Sequence, residues 1–228
     1  MTDISSIVNL DNHPITVSEE YLEKCKNSLR NNSILQLNNF LLPDSLKKIQ
    51  NESHILHSKA YYCSQNHTVL LTKKDHKMGN LDPCNIEVIS DKGCVPHDLI
   101  PESSDLNKLY QSKHFKFFLK NVFGIKKIFP YNDKLSSINY NYYEKKQQLG
   151  WHFDNASFAI TLMIQSPESG GIFQYINKGR DYEKNFIDKD LIGKVLKNNY
   201  PVNELSVVPG TLVLFYGRNY LHRVTPVT

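Results

Sequence analysis

From residue 137 onward, the apolar stretches are short and repeatedly cut by tight-turn signals. This pattern limits the possible folds more than any other feature of the chain. Residues 137–143, 151–165, 171–175, 205–207 and 211–216 read as strands, with Ser169-Gly170-Gly171 and Pro209-Gly210 among the breaks. Short strands joined by tight turns close into a sandwich or a small barrel of jelly-roll type. Gly170-Gly171 reads as a turn with no chemical role. Residues 181–196 read as an insertion, partly helical at best.

The first half is mixed. Thr16 and Glu19 fit a capping box, and residues 17–31 read as a helix. Residues 34–40 alternate as a strand does, and Pro43-Asp44 opens a second helical stretch to about residue 56. The clearest helix spans residues 105–123, where Leu106, Leu109, Tyr110, Phe115, Phe118, Leu119 and Val122 form an apolar stripe. Gly124 sits at its expected end. The stripe is core. With no internal repeat and no Gly/Ser linker, the 228 residues suit one domain. Residues 1–135 are expected to form a helical and mixed support, and residues 136–228 a β core that carries the chemistry.

Composition excludes several classes. The chain has 27 basic and 23 acidic residues, a net charge of +4 spread along its length. A nucleic-acid or anionic-membrane surface would cluster its cations, so neither partner is expected. Met1-Thr2-Asp3-Ile4-Ser5-Ser6 has no basic start followed by an apolar run, and the apolar run near residues 211–216 is too short to span a bilayer. A cytoplasmic protein with reduced thiols is expected. Cys84, Cys94 and His97 are too loosely spaced, with no evident fourth ligand, to read as a zinc site. His54 and His57 share a helix face, which reads as solvated. Composition says nothing about oligomeric state.

The chemistry centres on His152-Phe153-Asp154. Residues two apart on a strand project to the same side, so one imidazole and one carboxylate point together. A second histidine would complete the two-histidine, one-carboxylate face of non-haem iron(II) sites. His222, after the strand at 211–216, is the candidate. An H-x-D tripeptide alone is common by chance, so its surroundings carry weight.

Those surroundings are Asn141-Tyr142-Tyr143, Leu149-Gly150-Trp151-His152-Phe153-Asp154, Phe158-Ala159-Ile160-Thr161-Leu162-Met163-Ile164-Gln165 and Glu168-Ser169-Gly170-Gly171-Ile172-Phe173-Gln174-Tyr175. Pro209-Gly210-Thr211-Leu212-Val213-Leu214-Phe215-Tyr216-Gly217-Arg218 comes next, then His222-Arg223-Val224-Thr225-Pro226-Val227. The set resembles the iron(II)- and 2-oxoglutarate-dependent oxygenase superfamily across the second half of the chain. It looks closest to bacterial free-amino-acid oxygenases, the group of carrier-independent lysine halogenases and their hydroxylase relatives. The resemblance implies an α+β fold: a double-stranded β-helix (jelly-roll, cupin-like) core with flanking N-terminal helices. It implies iron(II) held by His152, Asp154 and His222, with 2-oxoglutarate and dioxygen as co-substrates. Tyr143 and Asn141, nine and eleven residues before His152, match positions that face 2-oxoglutarate in relatives. Trp151 and Phe153 should face the other way, into packing.

The resemblance also bears on the reaction. Halogenating relatives have a small residue at the position of Asp154, which leaves room for chloride. A carboxylate there implies hydroxylation of an unactivated C–H bond, coupled to oxidative decarboxylation of 2-oxoglutarate to succinate and carbon dioxide. The expected substrate is a small molecule, a free polar or basic amino acid such as lysine. Its charged ends would need buried partners, for which Glu87, Asp91 and Glu102 are candidates. The superfamily also places an arginine or lysine about nine to eleven residues after the last histidine, to pair with the distal carboxylate of 2-oxoglutarate. Here Thr228 lies six residues after His222. Either a C-terminal strand is missing from the chain, or Arg218 or Arg223 takes that role. Arg223, next to His222 on a strand, should point away from the iron. Two alternatives stand beside this reading: an oxygenase acting on a peptide, protein or nucleic acid, and a non-catalytic jelly-roll binding module.

Overall fold

Ser18 starts the first helix: its Oγ accepts from the Tyr21 amide at 3.1 Å, with Glu19 and Glu20 in the favourable first turn. The cap is therefore Ser18, not Thr16, and the helix begins two residues later than the capping box suggests. The structure is a computed structural model and describes residues 4–133 and 135–228. In chain order the elements begin with α1 (Glu19–Asn32), β1 (Ile34–Leu37), α2 (Pro43–Leu56), β2 (Tyr61–Thr68) and β3 (Glu87–Pro96). Next come α3 (Asp105–Gln111), α4 (Lys113–Val122), β4 (Asn139–Tyr142), β5 (Leu149–His152) and β6 (Ala159–Leu162). The chain closes with β7 (Phe173–Asp181), β8 (Phe186–Ile187), α5 (Lys189–Leu196), β9 (Asn203–Leu205), β10 (Leu212–Phe215) and β11 (Tyr220–Val224).

Two expected elements divide. The helix expected over 105–123 is two helices, because Ser112 leaves helical conformation at ψ 130° and its Oγ caps α4 by accepting from the Phe115 amide. The strand expected over 151–165 splits into β5 and β6, which belong to different sheets. The insertion at 181–196 contains β8 and α5, started by Asp188 as N-cap.

One sheet has the order β1-β10-β6, and a second runs β5-β11-β7-β8 with β9 also on β7. A third, β2-β3-β4, joins the second through β3 and the segment leading into β5: Asp91 and Gln148 exchange hydrogen bonds at 2.9 and 2.8 Å. These are the antiparallel sheets and outer helices of the jelly-roll-type α+β fold expected above.

β10 explains why the sheets face one another. Leu212 and Leu214 join the large core under the helices, with Phe40, Ile49, Phe118 and Tyr140. Val213 and Phe215 point the other way, and Phe215 packs on Phe173 and Tyr175 of the second sheet at ring distances of 5.3 and 5.9 Å. A strand buried on both faces must be apolar at every position, as Leu212-Val213-Leu214-Phe215 is. A further cluster of Trp151, Phe153, Ile176, Ile192, Val195 and Leu221 closes the outer side of the second sheet beneath α5.

Candidate metal centre

Strand pairing places the two histidines opposite each other. β11 runs antiparallel to β5 with His222 and His152 as Cα partners, and their rings lie 4.2 Å apart between centroids. Directly opposed residues on neighbouring strands share a face. Asp154 comes two residues after His152 and shares its side, while Trp151 and Phe153 turn into the outer cluster as alternation requires. Past the end of β5 the chain is held on both sides: the Phe153 amide donates to Val69 O at 2.8 Å and the Asp154 amide to Gly217 O at 3.0 Å.

Each imidazole is locked from behind. His152 Nδ1 lies 2.8 Å from Gly150 O, and His222 Nδ1 lies 2.9 Å from Tyr220 O. A carbonyl only accepts, so both Nδ1 atoms carry the proton and both Nε2 atoms present lone pairs. Those Nε2 atoms stand 3.4 and 3.6 Å from Asp154 Oδ1. The other carboxylate oxygen, Oδ2, is buried without a hydrogen bond. Burial pushes the His152 ring below its ordinary value, so it is neutral. Two lone pairs and an anion thus converge with no proton donor between them. A cation satisfies such an arrangement, so these residues fit a divalent metal. Among the described residues, these three are the group of histidine, cysteine and acidic side chains whose ligand atoms all lie within 4.8 Å of one another.

Further residues build the centre, and none of them stands out in the sequence. Gly217 leaves room for the carboxylate: a Cβ there would sit 1.7 Å from Asp154 Oδ2. Arg180 straps the two segments together, donating from Nη2 to Asp154 O at 2.9 Å and from Nε to Arg218 O at 2.6 Å. His67 stands edge-on to His152 at 6.3 Å and is itself held by Ser90 Oγ at 2.6 Å and Thr68 O at 2.8 Å. Phe215 and Phe173 wall the His222 ring at 4.9 and 5.7 Å.

The remaining candidates stand in different surroundings. Tyr143 is partly buried, and loss of hydration pushes its phenol up to about 12. Asn141 is exposed and donates to Asn139 Oδ1. Arg218 is engaged with Asn155 O at 2.7 Å and lies over the Tyr182 ring at 4.3 Å. Arg223 points away from His222, as expected: it donates to Gln174 Oε1 at 2.7 Å and lies over Trp151. The structure therefore commits both arginines to protein partners. Of the acidic candidates, Asp91 is used in the joint between β3 and the segment before β5, and Glu87 and Glu102 are exposed. Cys84 is buried in the core, Cys94 lies on β3 and His97 bonds to Ser137 and Asn107, so the loose cysteine–histidine spacing builds no metal cluster among the described residues. His57 bonds to the Tyr62 hydroxyl.

Comparison with known proteins gives a family and a fold. The family described as Halogenase D (HalD) matches over residues 17–228. No curated protein matches the chain in sequence. Among solved structures, an oxidoreductase of the 2OG-Fe(II) oxygenase family from Burkholderia pseudomallei is similar at 16% identity and TM-score 0.55, covering 92% of this chain and 86% of that one. A prolyl-4-hydroxylase from Pseudomonas putida is similar at 13% identity and TM-score 0.54, covering 90% and 92%. A prolyl hydroxylase from Trichoplax adhaerens, solved with a peptide of hypoxia inducible factor, is similar at 13% identity and TM-score 0.53, covering 93% and 89%. No helix among the described residues is long and apolar enough to cross a membrane.

Proposed function

The chain belongs to the Halogenase D family, and from that premise we propose that it is a 2-oxoglutarate-dependent non-haem iron oxygenase that hydroxylates an unactivated C–H bond of a free polar or basic amino acid such as lysine. The observation that carries the reading is the convergence of two Nε2 lone pairs on the buried Asp154 carboxylate. The amino-acid substrate rests on the resemblance of the second half of the chain to free-amino-acid oxygenases. Hydroxylation, against the halogenation in the family's name, rests on Asp154: a carboxylate stands where halogenating relatives carry a small residue.

His152, Asp154 and His222 would hold iron(II). Iron with bound 2-oxoglutarate supplies oxygen activation, with succinate and carbon dioxide as the co-products. The protein's part is orientation and exclusion of water. Gly150 O and Tyr220 O keep the Nε2 atoms free of protons. Arg180 fixes the backbone of Asp154 through its carbonyl. Phe173 and Phe215 keep an apolar wall on His222. The Tyr143 phenol keeps its proton at neutral pH and can donate to a carboxylate of the co-substrate.

Incubation of the protein with iron(II), 2-oxoglutarate, ascorbate, air and the pooled common amino acids, read by mass spectrometry, tests the proposal. Succinate together with one amino acid heavier by one oxygen is expected. Succinate without an oxidised amino acid would move the substrate to a peptide or another metabolite. Iron-loaded protein that forms neither product would favour a binding module. His152→Ala and His222→Ala are each expected to lose iron and abolish turnover, and full activity in either would sink the assignment.

A further inference from the structure

Lys92 lies on β3 between Ser90 and Cys94, and alternate residues of a strand share a face. Ser90 shows where that face looks: its Oγ accepts from the Gly150 amide at 2.9 Å and meets His67 Nε2, and His67 edges onto His152. The opposite face of the same sheet carries Val95, Tyr140 and Tyr142, which pack in the helical core or reach Glu52 and Ser53 of α2. On the face of Lys92, β4 pairs Asn141 with Cys94, and Tyr143 comes two residues later on the same side. Lys92 is partly buried, and no hydrogen bond or ion pair of its ammonium is present among the described residues. Burial lowers its pKa, and the charges of Cys94 and Asp154 act on it in the opposite direction, so it lies within electrostatic reach of the metal centre. A partly buried ammonium with no protein anion beside it is open to pairing with a bound carboxylate. The two arginines that could have served are held by Asn155, Tyr182, Gln174 and Trp151.

We propose that Lys92 is the basic residue that receives the distal carboxylate of the 2-oxo acid, beside the Tyr143 phenol. The anion site is thereby supplied by the β2–β3 ribbon. This rests on the oxygenase reading above. A carboxylate of the amino-acid substrate is the other source of the same chemistry, and the test separates the two.

The iron(II) protein is titrated without oxygen by 2-oxoglutarate and, in parallel, by 2-oxovalerate, which has the same oxo-acid head and no distal carboxylate. Binding of either is read from the charge-transfer absorption of the iron–oxo acid complex, without turnover. Lys92→Met is expected to weaken 2-oxoglutarate by about tenfold or more while leaving 2-oxovalerate unchanged, and Lys92→Arg is expected to recover much of the loss. Unchanged 2-oxoglutarate binding in Lys92→Met would overturn the inference and leave the substrate as the source of any anion. Equal weakening of both oxo acids would overturn it as well, since that marks a structural effect. Failure of the wild-type protein to give the absorption would instead remove the oxygenase reading on which the inference stands.

Discussion

Asp154 turns one oxygen to two imidazoles and presses the other against Gly217, where no side chain can stand. The glycine is required by space, since a Cβ 1.7 Å from Oδ2 cannot coexist with the carboxylate in this position. Gly217→Ala is therefore expected to displace the Asp154 carboxylate and lower iron affinity by about tenfold or more, while the chain still folds. Iron content after reconstitution, measured alongside the melting temperature, checks this. Unaltered iron affinity would show that the carboxylate can rotate away without leaving the metal.

β5 and β11 bring the ligands, but they end within a few residues of the site, and the loops beyond them need support of their own. Arg180 on β7 gives it from a third strand, joining Asp154 O and Arg218 O and lying over the Phe153 ring at 4.8 Å. Its two donors serve carbonyls that would otherwise lose their charged partner. Arg180→Met is expected to destabilise the fold by about 2–3 kcal/mol and to weaken iron binding, although it touches no ligand side chain. Chemical denaturation and iron titration of the variant measure the two effects. A stability change without any change in iron binding would limit Arg180 to the fold.

The N-terminal segment belongs to the same core as the final strands: Ile7, Val8 and Ile15 share a cluster with Leu212 and Leu214. His13 fastens that segment from the inside, with Nδ1 2.6 Å from the Tyr21 hydroxyl and Nε2 2.8 Å from Asn38 O. Burial lowers its pKa below the ordinary 6.5, although the Asn38 carbonyl opposes the shift. Above 6.5 the ring is neutral in both states, and below it the unfolded chain takes up a proton that the folded one resists. Stability present above 6.5 is therefore lost progressively as the pH falls toward the folded value. His13→Gln, which cannot titrate, is expected to show a smaller drop in melting temperature than the wild-type protein between neutral and mildly acid pH. Parallel curves for the two proteins would place the acid sensitivity elsewhere.

Local sequence determined those features whose physics is local. The two-residue period of His152-Phe153-Asp154, the strand runs ended by Gly and Pro, and the helix at Pro43 all depend on neighbours within one turn or one pleat. So do the outward course of Arg223 and the inward packing of Trp151 and Phe153. The β2–β3 ribbon was hidden because Tyr61-Tyr62-Cys63-Ser64-Gln65-Asn66-His67-Thr68 has no apolar alternation, most of it staying exposed or half-exposed. The break at Ser112 was hidden because the apolar stripe continues across it. Strand register, which sets His222 against His152, and the meetings of Gly217 and Arg180 with the metal centre join residues far apart in the chain. Pairing and packing across such separations are decided by which surfaces close together, and no local period records that choice.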